Sequence, residues 1–214
     1  MVSQRSRDRF LAKYGPWATV TGASSGIGRE TAVLLAEYGS NLVLVARGEA
    51  RLRELAGELE KRHRVEVRVL AADLATDDGV RAVSDSTRDL DVGLLVAAAG
   101  YGVSGPFLAT PLDQHLDLVD VNCRAAVALA WEFGKRFSAR GRGGVVLYGS
   151  IVGFQGVPWA AHYAATKAYI QTFADARLVF IGEGPLRDQL GDRAAAAGLA
   201  RQVHFVAHQP DVRP

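Results

Sequence analysis

Short apolar runs recur along this chain, each separated from the next by a longer stretch with helical spacing, and that alternation limits the fold more than any other feature. Runs at 17–21, 41–46, 66–71, 93–97 and 144–148 read as strands. The segments 27–38, 49–62, 77–86, 111–137 and 162–172 read as helices, with leucines at 52, 55 and 59 marking one helical face. Strands this apolar are covered on both faces. Each crossover must bring the chain back to the same sheet, and right-handed crossovers do so only when helices flank it, so the sequence predicts an α/β fold with a doubly wound parallel sheet. Ligands of such sheets bind beyond the carboxyl ends of the strands.

No Pro/Gly/Ser linker divides the 214 residues and no repeat of fixed period appears, so a single domain over 1–214 is expected. With 49% hydrophobic and 22% charged residues, the composition is that of a globular chain and not of a disordered one. Twenty-five Lys plus Arg against 23 Asp plus Glu leave a formal charge of +2, too small to imply a nucleic-acid or membrane partner. Residues 1–14 are basic but lack the apolar core of a signal peptide, and no run approaches the roughly 18 apolar residues of a membrane span. Cys123 is the single cysteine, which excludes an internal disulfide, a zinc knuckle and a CxxC pair and points to a reducing cytoplasm.

Between the first strand and the first helix lies Thr21-Gly-Ala-Ser-Ser-Gly-Ile-Gly28. A dinucleotide pyrophosphate placed there would meet the free N–H groups and positive dipole end of the helix. Ser24 and Ser25 are also good N-cap residues, so a plain tight turn is the alternative. The spacing Gly22, Gly26, Gly28 resembles that of the short-chain dehydrogenase/reductase family, and the resemblance extends to about Ala176. It implies a Rossmann-like fold and a nicotinamide dinucleotide held by Gly22, Ser24, Ser25, Gly26, Ile27 and Gly28. Arg47 follows the second strand, where NAD-preferring relatives carry an acidic residue; a guanidinium suits a 2′-phosphate, so NADP is expected and NAD is the alternative. Asp73-Leu74 resembles the family's adenine contact, with an aspartate satisfying a loop amide as the plainer reading. Ala97-Ala-Ala-Gly100 stands where the family carries Asn-Asn-Ala-Gly, so Ala98 and Gly100 are placed at the cofactor edge without the two bracing amides.

Tyr163 and Lys167 are four residues apart in a helical segment and project from one face. Ser150 lies just past the fifth strand, and Asn122 sits in the long helix amid Leu118, Val119, Val121 and Ala125. When hydride reaches a carbonyl, negative charge grows on oxygen and must be met by a proton donor and hydrogen bonds. A phenol can be that donor if its ordinary pKa near 10 falls by about 3 units, which is about 4 kcal/mol. One ammonium about 4 Å away at an effective dielectric of about 20 supplies about that much. By resemblance, Tyr163 is the general acid/base, Lys167 tunes it and binds the nicotinamide ribose, Ser150 polarises the carbonyl and Asn122 holds a relay water. The function so implied is NADP(H)-dependent interconversion of a small-molecule carbonyl and a secondary alcohol, with a catalytically silent cofactor-binding scaffold as the alternative. The apolar loop 152–159 hints at a hydrophobic substrate.

Other candidates weigh less. His162 is expected to pack, not react; His204 and His208 lie on a strand and loop where their spacing does not converge on a metal. Trp131, Phe133 and Phe137 are expected in the core or in a contact between subunits of a homo-oligomer, and Arg140 and Arg142 in a solvated turn. From about residue 174 the chain departs from the dehydrogenase pattern. Strand 178–181, helix 185–197 and strand 203–206 resemble the nucleotide-sugar domain of two-domain retaining glycosyltransferases, which implies a chimera whose tail adds a sixth and seventh strand. A diverged dehydrogenase is the alternative, and glycosyltransferase activity is not expected.

Overall fold

The structure, a computed structural model, describes residues 2–175 together with Phe180–Ile181 and Phe205–Val206. Ala18, Val20, Leu42, Leu44, Leu94 and Val96 face one side of a sheet, and Val43, Val45, Leu95 and Val145 face the other, the period-two signature of strands buried on both sides. After a first helix, α1 (Gln4–Tyr14), the strands are β1 (Trp17–Thr21), β2 (Asn41–Ala46), β3 (Val67–Ala71), β4 (Val92–Ala97) and β5 (Gly144–Leu147). All pairs are parallel, in the order β3-β2-β1-β4-β5. Helices α2 (Gly26–Glu37) and α3 (Glu49–His63) cover one face through Leu35, Leu52, Leu55 and Leu59. On the other, α4 (Asp77–Ser86) and the helix of Phe133 and Phe137 supply Val80, Val83 and Leu129. The doubly wound α/β fold follows from the apolar pattern alone. Because the order reverses between β1 and β4, a crevice opens at their carboxyl ends.

The helix expected over 111–137 is in three parts. α5 (Leu112–Val119) runs into a π-helical turn, Asp120–Arg124, and then into α6 (Ala125–Arg140), which Gly141 closes in the left-handed conformation. A π turn widens the helix locally and places Asn122 and Cys123 side by side in the interior. α7 (Ala161–Asp175) is the helix of Tyr163 and Lys167.

One expectation meets a different arrangement. Arg140 and Arg142 are not simply solvated: both pair with Asp91 ahead of β4, Arg140 at 2.6 Å, because the strand presents one carboxylate beside the turn and two guanidiniums share it. The tail is expected to add a sixth and seventh strand; of it the structure describes β6 (Phe180–Ile181) and β7 (Phe205–Val206), which pair in parallel with each other. The expected helix 185–197, together with His204 and His208, lies outside the described residues. Among the described residues, no helix is long and apolar enough to cross a membrane.

Candidate active site

The turn from β1 into α2 is shaped by backbone contacts that exclude side chains. A Cβ on Gly28 would lie 2.4 Å from the carbonyl oxygen of Gly22, and one on Gly22 would lie 2.8 Å from the backbone of Ala98 and Ala99. Gly26 differs: its φ is +55°, and a Cβ there would meet nothing within 4 Å, so this glycine borders open space. Ser25 is the N-cap residue of α2, yet its hydroxyl makes no capping bond. The plain helix-start reading therefore leaves Ser25 unexplained. The first turn of a helix leaves N–H groups without helical partners, and Gly26, Ile27 and Gly28 of that turn line the same opening.

That opening is a cleft of about 810 Å³ at the carboxyl edge of the sheet. Its wall contains Gly22, Ser24, Ser25, Gly26, Ile27, Gly28, Arg47, Asp73, Leu74, Ala98, Gly100, Tyr163 and Lys167, every residue the sequence assigns to a cofactor. Arg47 is exposed and no ion pair engages it among the described residues; Arg51, one turn into α3, joins it on the wall. Asp73 both reaches the cleft and accepts the Ala75 N–H at 3.1 Å, so the loop-capping role is present alongside the wall position. An open glycine turn, an uncapped serine and an unpaired guanidinium fit a dinucleotide phosphate chain. Among the described residues, no cluster of three or more His, Cys, Asp or Glu side chains could hold a metal ion.

Lys167 reaches the cleft from α7. Its Nζ donates to the carbonyl of Tyr148 at 2.9 Å, just past β5, and stands 5.8 Å from the ring centroid of Tyr163. Burial holds the amine below its ordinary value, with the neighbouring Cys123 acting the other way. Burial in turn pushes the Cys123 thiol up, which suits a packed residue more than a nucleophile. The Tyr163 ring packs on the backbone at Gly102, where an added Cβ would lie 3.4 Å from it.

The other two expected partners are placed differently. Asn122 is buried, its Oδ1 accepting the Tyr101 N–H at 3.1 Å while Nδ2 donates to the Tyr101 carbonyl at 2.9 Å and to Thr166 Oγ1 at 3.0 Å. Both amide hydrogens are thus engaged within the protein. Ser150 caps the short 3-10 turn Ile151–Phe154, its Oγ accepting the Val152 N–H at 3.4 Å. Neither residue lines the cleft.

Sequence reasoning missed Tyr101, Tyr148 and Thr166. Tyr101 lies on the cleft wall, and its hydroxyl donates to Asp117 at 2.7 Å; burial and that bond push its pKa up to about 12. Of the two phenols flanking Gly102, Tyr163 has the Lys167 ammonium beside it, whereas Tyr101 is bound to the Asp117 carboxylate, with Arg47 acting only weakly the other way. The only available signal for Thr166 was its place next to Lys167 on the helix. His162 turns from the cleft toward His115, as a packing residue should. Phe133 and Phe137 are core, while Trp131 is 59% exposed at a second cavity, of about 880 Å³, between α4, α6 and α7.

Residues 16–178 match the family of short chain dehydrogenases. The chain belongs to that family. It is 37% identical over 175 residues to a very-long-chain 3-oxoacyl-CoA reductase of Coprinopsis cinerea, covering 80% of this chain and 52% of that protein. It is 32% identical over 164 residues to a 7beta-hydroxysteroid dehydrogenase of Mediterraneibacter gnavus, covering 77% and 62%. A short-chain dehydrogenase from Sphingobium yanoikuyae, solved in complex with NADPH, superposes with a TM-score of 0.74 at 30% identity, covering 90% of this chain and 87% of that one. The chain spans about half to three fifths of the length of these curated relatives. They support the dehydrogenase part; the resemblance of the tail to glycosyltransferases, and with it the chimera, finds no support in them.

Proposed function

We propose that this protein is an NADP(H)-dependent oxidoreductase that interconverts a carbonyl and a secondary alcohol. The observation that carries it is the meeting of Tyr163 and Lys167, 5.8 Å from ring to ammonium, on the wall of the cleft that the glycine turn opens. The solved relative that binds NADPH supports the cofactor, and Arg47 with Arg51 offers two cations to a 2′-phosphate. When bound, the nicotinamide donates or accepts the hydride.

The chain's own residues handle the proton and the charge. The Tyr163 hydroxyl gives its proton to the carbonyl oxygen as negative charge builds there, and takes it back in the reverse direction. Lys167, anchored on Tyr148, opposes the charge left on the phenol and would hold the nicotinamide ribose. Ser150 accepts a backbone N–H, so its own hydrogen is free to donate to the substrate oxygen. Asn122 is assigned a relay water by resemblance, but its contacts favour a brace: it grips both backbone polar groups of Tyr101, work that the missing asparagines of Ala97 and Ala98 do not perform here.

The substrate class proposed is an apolar ketone. Phe107, Leu108, Ile151, Phe154 and Trp159 are all more than half exposed on the loops that leave β4 and β5, and the Gly105 N–H clasps the Trp159 carbonyl at 2.7 Å. The named relatives act on an oxoacyl chain and a hydroxysteroid, both largely hydrocarbon. A silent scaffold is not favoured. A homo-oligomer through the face of Trp131 and Tyr169 belongs to the same proposal, and light scattering that finds only monomers removes it.

Titration with NADPH and NADH, followed by reduction of a ketone panel graded in apolar size, tests the function. Tighter NADPH binding and faster turnover of larger apolar ketones are expected. Failure to bind either dinucleotide would overturn it.

A further inference from the structure

β5 pairs with β4 as far as Leu147, opposite Ala97, so Tyr148 is the first residue beyond the ladder. Its backbone has left the sheet, yet its carbonyl oxygen accepts the Lys167 ammonium at 2.9 Å. Among the described residues, no other hydrogen-bond acceptor engages that Nζ. Where Tyr148 sits therefore decides where the ammonium sits. Its side chain is what holds it. The half-buried ring packs on the core beneath α2 and α3, and its hydroxyl meets Thr31 Oγ1 of α2 at 2.7 Å.

Counting hydrogens gives that bond its direction. Thr31 Oγ1 also lies 2.7 Å from the carbonyl oxygen of Ile27, one turn earlier, and a carbonyl only accepts. The single hydroxyl hydrogen of Thr31 goes there, so the Tyr148 hydroxyl donates to Thr31. A polarised chain then runs from the Tyr148 phenol through Thr31 to Ile27, a residue of the glycine turn on the cleft wall. Tyr148 thus reaches the glycine turn through its hydroxyl and Lys167 through its carbonyl. Packing alone would accept a phenylalanine at this position; it does not account for the oxygen.

We propose that Tyr148 is a positioning residue that fixes the Lys167 ammonium relative to the glycine turn. Its importance for turnover rests on the function proposed above, in which one dinucleotide lies with its pyrophosphate on that turn and its nicotinamide ribose on Lys167. The two points of such a ligand are a fixed length apart, so the spacing between turn and ammonium decides whether both seat together and whether the reacting groups line up. The hydroxyl bond sets that spacing between a strand end and a helix, both rigid elements.

The positioning is tested without substrate or cofactor. Nitrogen NMR follows the titration of the Lys167 ammonium, whose signal is assigned by its loss in Lys167→Met. A hydrogen bond to the charged form favours that form, so when Tyr148→Phe leaves the carbonyl less firmly placed, the titration is expected to move to lower pH. Thr31→Val removes the same bond and is expected to match it, while Thr31→Ser keeps the hydroxyl and is expected to stay with wild type. The double variant Tyr148→Phe/Thr31→Val is expected to move no further than either single one. Single-turnover reduction of a ketone is expected to fall about threefold to tenfold in Tyr148→Phe, the worth of one neutral hydrogen bond. NADPH affinity is expected to stay within about twofold, since Arg47 and the glycine turn are untouched. An unmoved titration in Tyr148→Phe, additive movements in the double variant, or an equal movement in Thr31→Ser overturns the proposal; a loss of stability with the titration unmoved shows the bond to be structural alone. If Tyr148→Phe does not fold, Thr31→Val against Thr31→Ser decides. A wild type that reduces no ketone would overturn the function proposed above, and the titration would still decide the place of Tyr148.

Discussion

The Lys167 ammonium is tied to the end of the central sheet by its 2.9 Å bond to the Tyr148 carbonyl. A charge held inside the wall costs the folded state something that a solvated lysine would not. Since burial lowers the amine from its ordinary 10.5, the unfolded chain binds that proton more tightly than the folded one. Stability therefore rises with pH from the lowered folded value up to about 10.4. Lys167→Met is expected to show no such rise, so that wild type gains on the variant across that window in urea unfolding. A parallel pH dependence of the two would contradict the burial of the charge.

Gly28 and Gly26 make opposite demands. Gly28→Ala forces a methyl to 2.4 Å from the Gly22 carbonyl, and a loss of at least about 2 kcal/mol in unfolding free energy is expected. Gly26→Ala puts its methyl into the cleft; it costs about 1 kcal/mol through its positive φ but weakens dinucleotide binding more than it weakens the fold. Unfolding curves and binding titrations of both variants separate the effects.

Much of this was legible in the sequence, and for identifiable reasons. The short apolar runs located β1, β2 and β4 to within a residue, because strands buried on both faces are apolar nearly throughout. The glycine spacing placed the cleft, since Gly22 and Gly28 are required by backbone contacts that no other residue permits. What could not be read was pairing across distance. The partners of Asn122 are set by tertiary packing, here Tyr101 and Thr166, and its neighbours in sequence do not reveal them. Arg140 and Arg142 looked solvated because Asp91 is about 50 residues away in sequence. The π turn at Asp120–Arg124 left no compositional mark at all.

Arg47, on the cleft wall, is the residue proposed to set the cofactor preference. Arg47→Asp removes a cation and adds a like charge toward a 2′-phosphate, so NADPH affinity is expected to fall by about tenfold to a hundredfold, with NADH unchanged or improved. Competitive titration of the two dinucleotides measures the ratio. An unchanged preference would assign the 2′-phosphate elsewhere on the wall, Arg51 being the next candidate.

Tyr163→Phe removes one oxygen from the wall and leaves the glycine turn, Arg47 and the Lys167 anchor in place. The measurement is NADPH affinity alongside steady-state reduction of the ketone that wild type turns over fastest. Affinity is expected to stay within about twofold while kcat falls by about 10²- to 10⁴-fold, the range of a lost general acid. A variant that still reduces the ketone at the wild-type rate would show that the phenol beside Lys167 does not deliver the proton.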